Sequence, residues 1–204
     1  MTPAELKSKL DELMGLPTEL EWVEFKEAKQ SIDFNELGKY FSALSNEANI
    51  KGKDCGWFVM GASDKPPRRV IGTQYRPTAQ DRESLKHEVA RQTNNGMTFL
   101  DIHEIVLPEG RVLMLQIPSA LRGIPTEWKG HWYGRDGGSL VPLSMPEMEA
   151  IRGQSARDDW SAQICEGATL DALEPMAVLG ARDEYKEKNP PWPPRWTSGT
   201  TLRS

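Results

Sequence analysis

The sequence predicts an α/β protein built on a mixed sheet, and three observations carry that reading. From residue 20 onward, strand-like and helix-like stretches follow in the order strand, helix, strand, helix, strand, strand. Gly56-Trp57-Phe58-Val59-Met60-Gly61-Ala62 is a continuous apolar run bounded by glycines, the pattern of a central strand covered on both faces. Finally, Thr2, Asp33, Thr78 and Ser144 each carry Glu or Asp three residues on, the signature of a capped helix start.

Taken in order, Thr2-Pro3-Ala4-Glu5 opens a first helix with Leu6, Leu10, Leu13 and Met14 at helical spacing, stopped by Gly15 and Pro17. Residues 20–26 form the first strand. Asp33 caps a second helix whose apolar stripe is Leu37, Phe41 and Leu44, ending in the lysine-bearing segment 49–54. After the central strand, Ser63-Asp64-Lys65-Pro66-Pro67 is a turn. A third helix from Thr78 turns Leu85 and Val89 inward and ends at Asn94-Asn95-Gly96. Residues 99–106 and 111–117 pair as a hairpin through Pro108-Glu109-Gly110, and residues 131–135 and 139–142 as a second through Asp136-Gly137-Gly138. Ser144 then caps a helix to about Arg152. The expected organisation is a domain over 1–152, a helical appendage over 153–188 with Leu173, Met176, Ala177 and Leu179 on its inner side, and a disordered Pro/Trp-rich tail over 189–204.

Composition narrows the function. The chain has 204 residues, enough for one domain and an appendage, and its hydrophobic fraction of 38% lies below the usual range, so part of it is expected to stay outside a core. A net charge of −5 supplies no global field for nucleic acid, which leaves room only for a local basic surface. Cys55 and Cys165 are far apart and form no Cys-x-x-Cys, which points to a reducing, cytoplasmic location and away from zinc. Neither a signal region nor a membrane-length apolar run is present, and no P-loop motif occurs.

Chemistry concentrates in Thr18-Glu19-Leu20-Glu21-Trp22-Val23-Glu24-Phe25-Lys26. Strand alternation places Val23 and Phe25 on a core face and Trp22, Glu24 and Lys26 on the other. Glu24 and Lys26 then stand side by side on a rigid element, with Glu19 at the mouth of the strand and Asp64 at a later turn. The plain reading is a surface ion pair contributing about 0–1 kcal/mol. Lys51, Lys53, Arg68, Arg69 and Arg76 cluster in the two loops flanking the central strand, and with Lys29 and Arg135 are expected to line a groove for phosphates. Trp22 and Trp132 are candidates for base stacking, and Trp57 is expected in the core.

These motifs resemble the Alba-like domain of Schlafen proteins and of many bacterial regulators of transcription. The matching segments are Glu19-x4-Glu24-Phe25-Lys26, Ala43-Leu44-Ser45-Asn46, Gly56 to Asp64, and Trp132-Tyr133-Gly134-Arg135-Asp136-Gly137-Gly138-Ser139, in that order over residues 5–152. The lysine-bearing insert between Asn46 and Gly56 departs from the family pattern. The resemblance implies an Alba-type fold with helices on one side of the sheet, and a homodimer. It also implies a divalent-metal-dependent endoribonuclease acting on structured RNA such as tRNA. In that reading Glu19, Glu24 and Asp64 hold Mg²⁺ or Mn²⁺, with Lys26 on the reacting phosphate. The alternative it implies is a non-catalytic DNA-binding regulator of transcription or a sensor module.

Overall fold

The computed structural model describes residues 1–18, 20–154 and 174–188. The chain divides into two units, Met1–Asp159 and Trp160–Ser204. In the first, α1 (Pro3–Met14), β1 (Val23–Lys26), α2 (Phe34–Ile50), β2 (Cys55–Met60) and α3 (Ala79–Ala90) are followed by β3 (Asp101–Leu107), β4 (Gly110–Pro118), β5 (Glu127–Trp128), β6 (His131–Asp136), β7 (Ser139–Pro142) and α4 (Met145–Arg152). The expected order of elements is present, with two additions, a single 3₁₀ turn over Asn94–Gly96 and one further strand. The two-residue strand β5 lies inside the stretch expected to be loop, because two residues between proline- and glycine-rich turns give no periodicity to read.

The main sheet has the order β1-β2-β4-β3 and is mixed: β1 runs parallel to β2, and the other neighbours are antiparallel. Strand alternation sorts its side chains into two cores. Val23, Phe25, Trp57, Val59, Val112 and Met114 point to one face, where Leu10 and Leu13 of α1 cover them. Phe58, Met60, Leu113, Leu115 and Ile117 point to the other, beneath Leu37, Phe41 and Leu44 of α2 and Leu85 and Val89 of α3. The helices therefore lie on both faces, not on one. The leucine stripe of α1 packs on the side that α2 leaves open.

A second sheet, β5-β6-β7, packs on the far side of α2. Its contact with the helix is polar and buried. Ser42 Oγ donates to Thr126 O at 2.8 Å, and Asn46 Nδ2 donates to Thr126 O and Tyr133 O, both at 2.9 Å. Thr126 N–H and Tyr133 N–H return bonds to Asn46 Oδ1 and Ser42 Oγ, at 2.8 and 3.1 Å. These side chains satisfy backbone groups that a short sheet leaves open, groups that would be costly to bury unpaired. Asn46, a residue of the family-like motif, thus serves as the seam between α2 and the second sheet. Gly38 completes it, because a Cβ there would overlap the indole of buried Trp128.

In the second unit α5 spans Pro175–Lys188. Met176 and Leu179 are exposed in it, contrary to the inner side expected for them. Its charged residues fall all around the helix, and none of its side chains is buried. Residues 155–173, including Leu173 and the start of the expected appendage, and the tail 189–204 lie outside the described residues.

Gly38→Ala tests the seam. In an open helix interior this change adds about 1 kcal/mol of stability. Here overpacking against Trp128 is expected to reverse the sign and cost about 1–3 kcal/mol, read by denaturant unfolding.

Candidate functional site

The Glu24–Lys26 face of β1 is not a solvent face. It lies under α2, and β6 closes it from the side. Glu24 and Arg135 have side-chain exposures of 3% and 0%, while Lys26 keeps 27%. Arg135 Nη1 stands 2.6 Å from Glu24 Oε2, and Lys26 Nζ stands 3.0 Å from Glu24 Oε1, so each carboxylate oxygen faces its own cation. Arg135 also donates to Val23 O and Gly138 O, both at 3.1 Å, which ties β1 to the β6–β7 turn. The Tyr40 ring lies beneath both cations, 5.0 Å from Lys26 Nζ and 5.7 Å from the Arg135 guanidinium. Burial alone would push the Lys26 ammonium down, but the hydrogen bond and charge of Glu24, with Tyr40 behind them, hold its pKa above the ordinary lysine value. Burial and the charge of Glu24 push the Tyr40 phenol up.

Both oxygens of Glu24 are engaged at hydrogen-bond distance, one by Lys26 and one by Arg135. Among the described residues no three His, Cys, Asp or Glu side chains are grouped to hold a metal. Glu19 lies outside those residues. Asp64 is exposed, in the loop beyond β2, and walls a shallow cleft of about 560 Å³ together with Thr18, Lys65, Arg68, Gly137 and Gly138.

The seven basic residues expected to bind nucleic acid separate into two kinds. Arg135 is consumed by the buried cluster. Arg68 is buried as well; its guanidinium lies 4.3 Å over the Phe25 ring and donates to Leu16 O at 2.5 Å, closing the end of α1. Arg76 forms a two-pronged pair with Glu88 of α3, at 3.0 and 2.5 Å. Lys29, Lys51, Lys53 and Arg69 are exposed. Lys51 pairs with Glu21 at 3.1 Å, and Lys29 with Glu27 at 3.5 Å. The two loops do not form one groove: Lys51 and Lys53 precede β2, Arg68 and Arg69 follow it, and a six-residue strand spans about 20 Å. Of the tryptophans, Trp57 is core at 3% exposure, as expected, whereas Trp22 and Trp132 are half-buried.

Tyr40 and Glu47 are the site residues that the sequence reading missed. Glu47 is buried on α2, where its Oε1 accepts from Arg135 N–H at 2.9 Å. Burial pushes its carboxyl pKa up, against the help of that bond, and the charge of Glu147 adds to the shift. The available signal was their spacing: Tyr40 and Glu47 stand seven positions apart and so share one face of α2, distinct from the small and polar stripe of Gly38, Ser42, Ser45, Asn46 and Asn49.

Residues 19–144, more than half of the chain, match the family described as Schlafen, AlbA_2, and the chain belongs to that family. The membership supports a nucleic-acid-related domain. No curated protein matches the chain. Among solved structures it is similar to the DIP2311 protein from Corynebacterium diphtheriae, at 19% identity and a TM-score of 0.49, over 97% of this chain and 35% of that one. It is also similar to the N-terminal domain of a RecG-related protein from Nitrosomonas europaea, at 17% identity and a TM-score of 0.46, over 71% of this chain and 93% of that one. The chain thus spans about a third of the Corynebacterium protein. No described helix is long and apolar enough to cross a membrane.

Two outcomes follow from the buried cluster. Arg135→Ala leaves Glu24 in the interior without its closest cation and is expected to cost about 3–5 kcal/mol in denaturant unfolding. Lys51→Ala, at the half-exposed pair with Glu21, should cost no more than about 1 kcal/mol; equal small losses would mean that the cluster does not hold the fold. Glu47 gives a pH signature. Its folded pKa is raised, so between the ordinary value of 4.5 and that raised value the folded chain holds a proton the unfolded chain has released. The neutral form's advantage is complete below pH 4.5 and fades as pH rises through that window. Glu47→Gln keeps an acceptor for Arg135 N–H and should flatten the pH dependence of the melting temperature there.

Proposed function

We propose that this chain is a nucleic-acid-binding Schlafen-type domain in which the central acid–base cluster holds the fold rather than a metal. The observation that carries this reading is the pairing of both Glu24 oxygens, with buried Arg135 and with partly exposed Lys26. Removing charge from that carboxylate damages the junction of β1, α2 and β6 before it touches any ligand. Binding falls instead to the exposed Lys29, Lys51, Lys53 and Arg69 and the half-buried Trp22, and RNA is the favoured partner, with DNA as the alternative. Against a net charge of −5, a few local cations and stacking support modest affinity with shallow salt dependence.

One observation favours the second reading, an endoribonuclease acting on structured RNA such as tRNA. Thr18 and Asp64 wall the same cleft, so the chain next to Glu19 and the acid beyond β2 come to one place although 46 positions separate them. The glycine turn of β6–β7 forms the facing wall, held by Arg135 through Gly138 O.

Incubation with tRNA, other RNA, single-stranded DNA and duplex DNA, with Mg²⁺, Mn²⁺ or EDTA, separates the two. The binding reading expects retention of nucleic acid without cutting, and the same retention by Asp64→Ala. Metal-dependent cutting that Asp64→Ala abolishes at unchanged melting temperature would establish the nuclease instead.

A further inference from the structure

We infer that the cleft between the start of β2 and the end of β4, together with the Trp22 ring that adjoins it through Lys53, is a site for an unpaired nucleotide, with Trp22 as the stacking surface and Lys53 as its phosphate contact. The inference rests on the nucleic-acid reading above and deepens it, because it names single strands or looped-out bases rather than duplex as the form recognised. The strands β1 and β2 run side by side in parallel, so Trp22, which precedes the first, and Lys53, which precedes the second, meet at the same end of the sheet. Lys53 Nζ stands 5.5 Å from the centre of the Trp22 ring, and Lys53 also walls a cleft of about 620 Å³. Its other walls include Asn49, Ser119, Arg122 and Gln154, with Asp54 as the acid among them.

Each part has a chemical task. Trp22 is half-buried, its body packed against the α1-side core, so the ring is held rigidly while part of it meets solvent. An exposed lysine over an indole is a weak contact, and a stacked base is the stronger partner for the same face. A base arriving on Trp22 therefore displaces the ammonium, which swings toward the phosphate of the same nucleotide without leaving the cleft. The Asn49 and Gln154 amides pair with each other, at 3.0 and 2.6 Å, and Asn49 also donates to Ala120 O at 2.8 Å. After these bonds Gln154 retains one N–H, and both amide oxygens retain a lone pair. A base edge entering the cleft thus finds both a donor and an acceptor, which accommodates several bases without selecting one. A duplex cannot place an unstacked base face on Trp22 without opening a pair.

The test is fluorescence anisotropy with the full chain and a labelled 12-nucleotide single strand, as RNA and as DNA, against a blunt duplex of the same sequence. The single strand is expected to bind more tightly than the duplex. Trp22→Ala should weaken single-strand binding by on the order of tenfold while leaving duplex binding unchanged. Trp22→Phe, which keeps a ring and the core contact, should recover part of the loss. Lys53→Glu, an exposed change that spares the core, should weaken binding and flatten the salt slope by roughly 0.7, the share of one phosphate contact on a single strand. Arg91→Ala, an exposed change at the end of α3 and away from the cleft, should leave single-strand binding unchanged. If the wild-type chain binds nucleic acid but Trp22→Phe and Lys53→Glu bind the single strand as it does, or if duplex is preferred, the pocket is refuted and the binding reading stands. If the wild-type chain binds no nucleic acid in any form, the binding reading itself falls, and the pocket with it.

Discussion

The buried pairing of Arg135 with Glu24 is the constraint on which the rest of the domain depends. One guanidinium reaches the side chain and the backbone of β1 and the carbonyl of the glycine turn at once, while its own N–H is held by Glu47 of α2. Three segments far apart in the chain, β1, α2 and the β6–β7 hairpin, are fixed by one residue. Ionic groups so placed cost desolvation and return it only when every partner is present. The expense is met here by Lys26 on the other oxygen and by the Tyr40 ring under both cations. Such a cluster specifies one arrangement of β1, α2 and β6, since an alternative register would strand a charge in the interior.

That constraint also divides the molecule's surface. The acid–base pair on β1, which in a solvated strand would be a natural reacting site, is roofed over by α2. Two of the open clefts bear on function. Asp64 and the glycine turn wall one, and Lys53, beside Trp22, walls another. The cations divide by burial: Arg68 and Arg135 are taken up by the frame, whereas Lys29, Lys51, Lys53 and Arg69 are exposed.

The elements were legible because local signals and burial agreed. Capping pairs, glycine-bounded apolar runs and turn dipeptides marked the helices and strands, and the mixed sheet followed from their order. Tertiary relations were less legible. The sequence shows that Glu24 and Lys26 share a face, but not that α2 covers it. That depends on the uncharged stripe through Ser42, Ser45 and Asn46, which reads as a weak solvent face until the second sheet is placed against it. Arg68 and Arg135 looked like surface cations because arginine usually is one; their burial depends on Phe25, Leu16 and Glu24 arriving from elsewhere in the chain.

The most direct test of this account is a double-mutant cycle between Glu24 and Arg135, with Glu24→Gln, Arg135→Met and the double variant compared by denaturant unfolding. If the pair is the lock described, the two losses are strongly non-additive, with a coupling of about 0.5–3 kcal/mol, and the double variant is more stable than the sum of the single changes allows. Additive losses, together with divalent-ion binding that disappears in Glu24→Gln, would contradict it and return Glu24 to the role of a metal ligand.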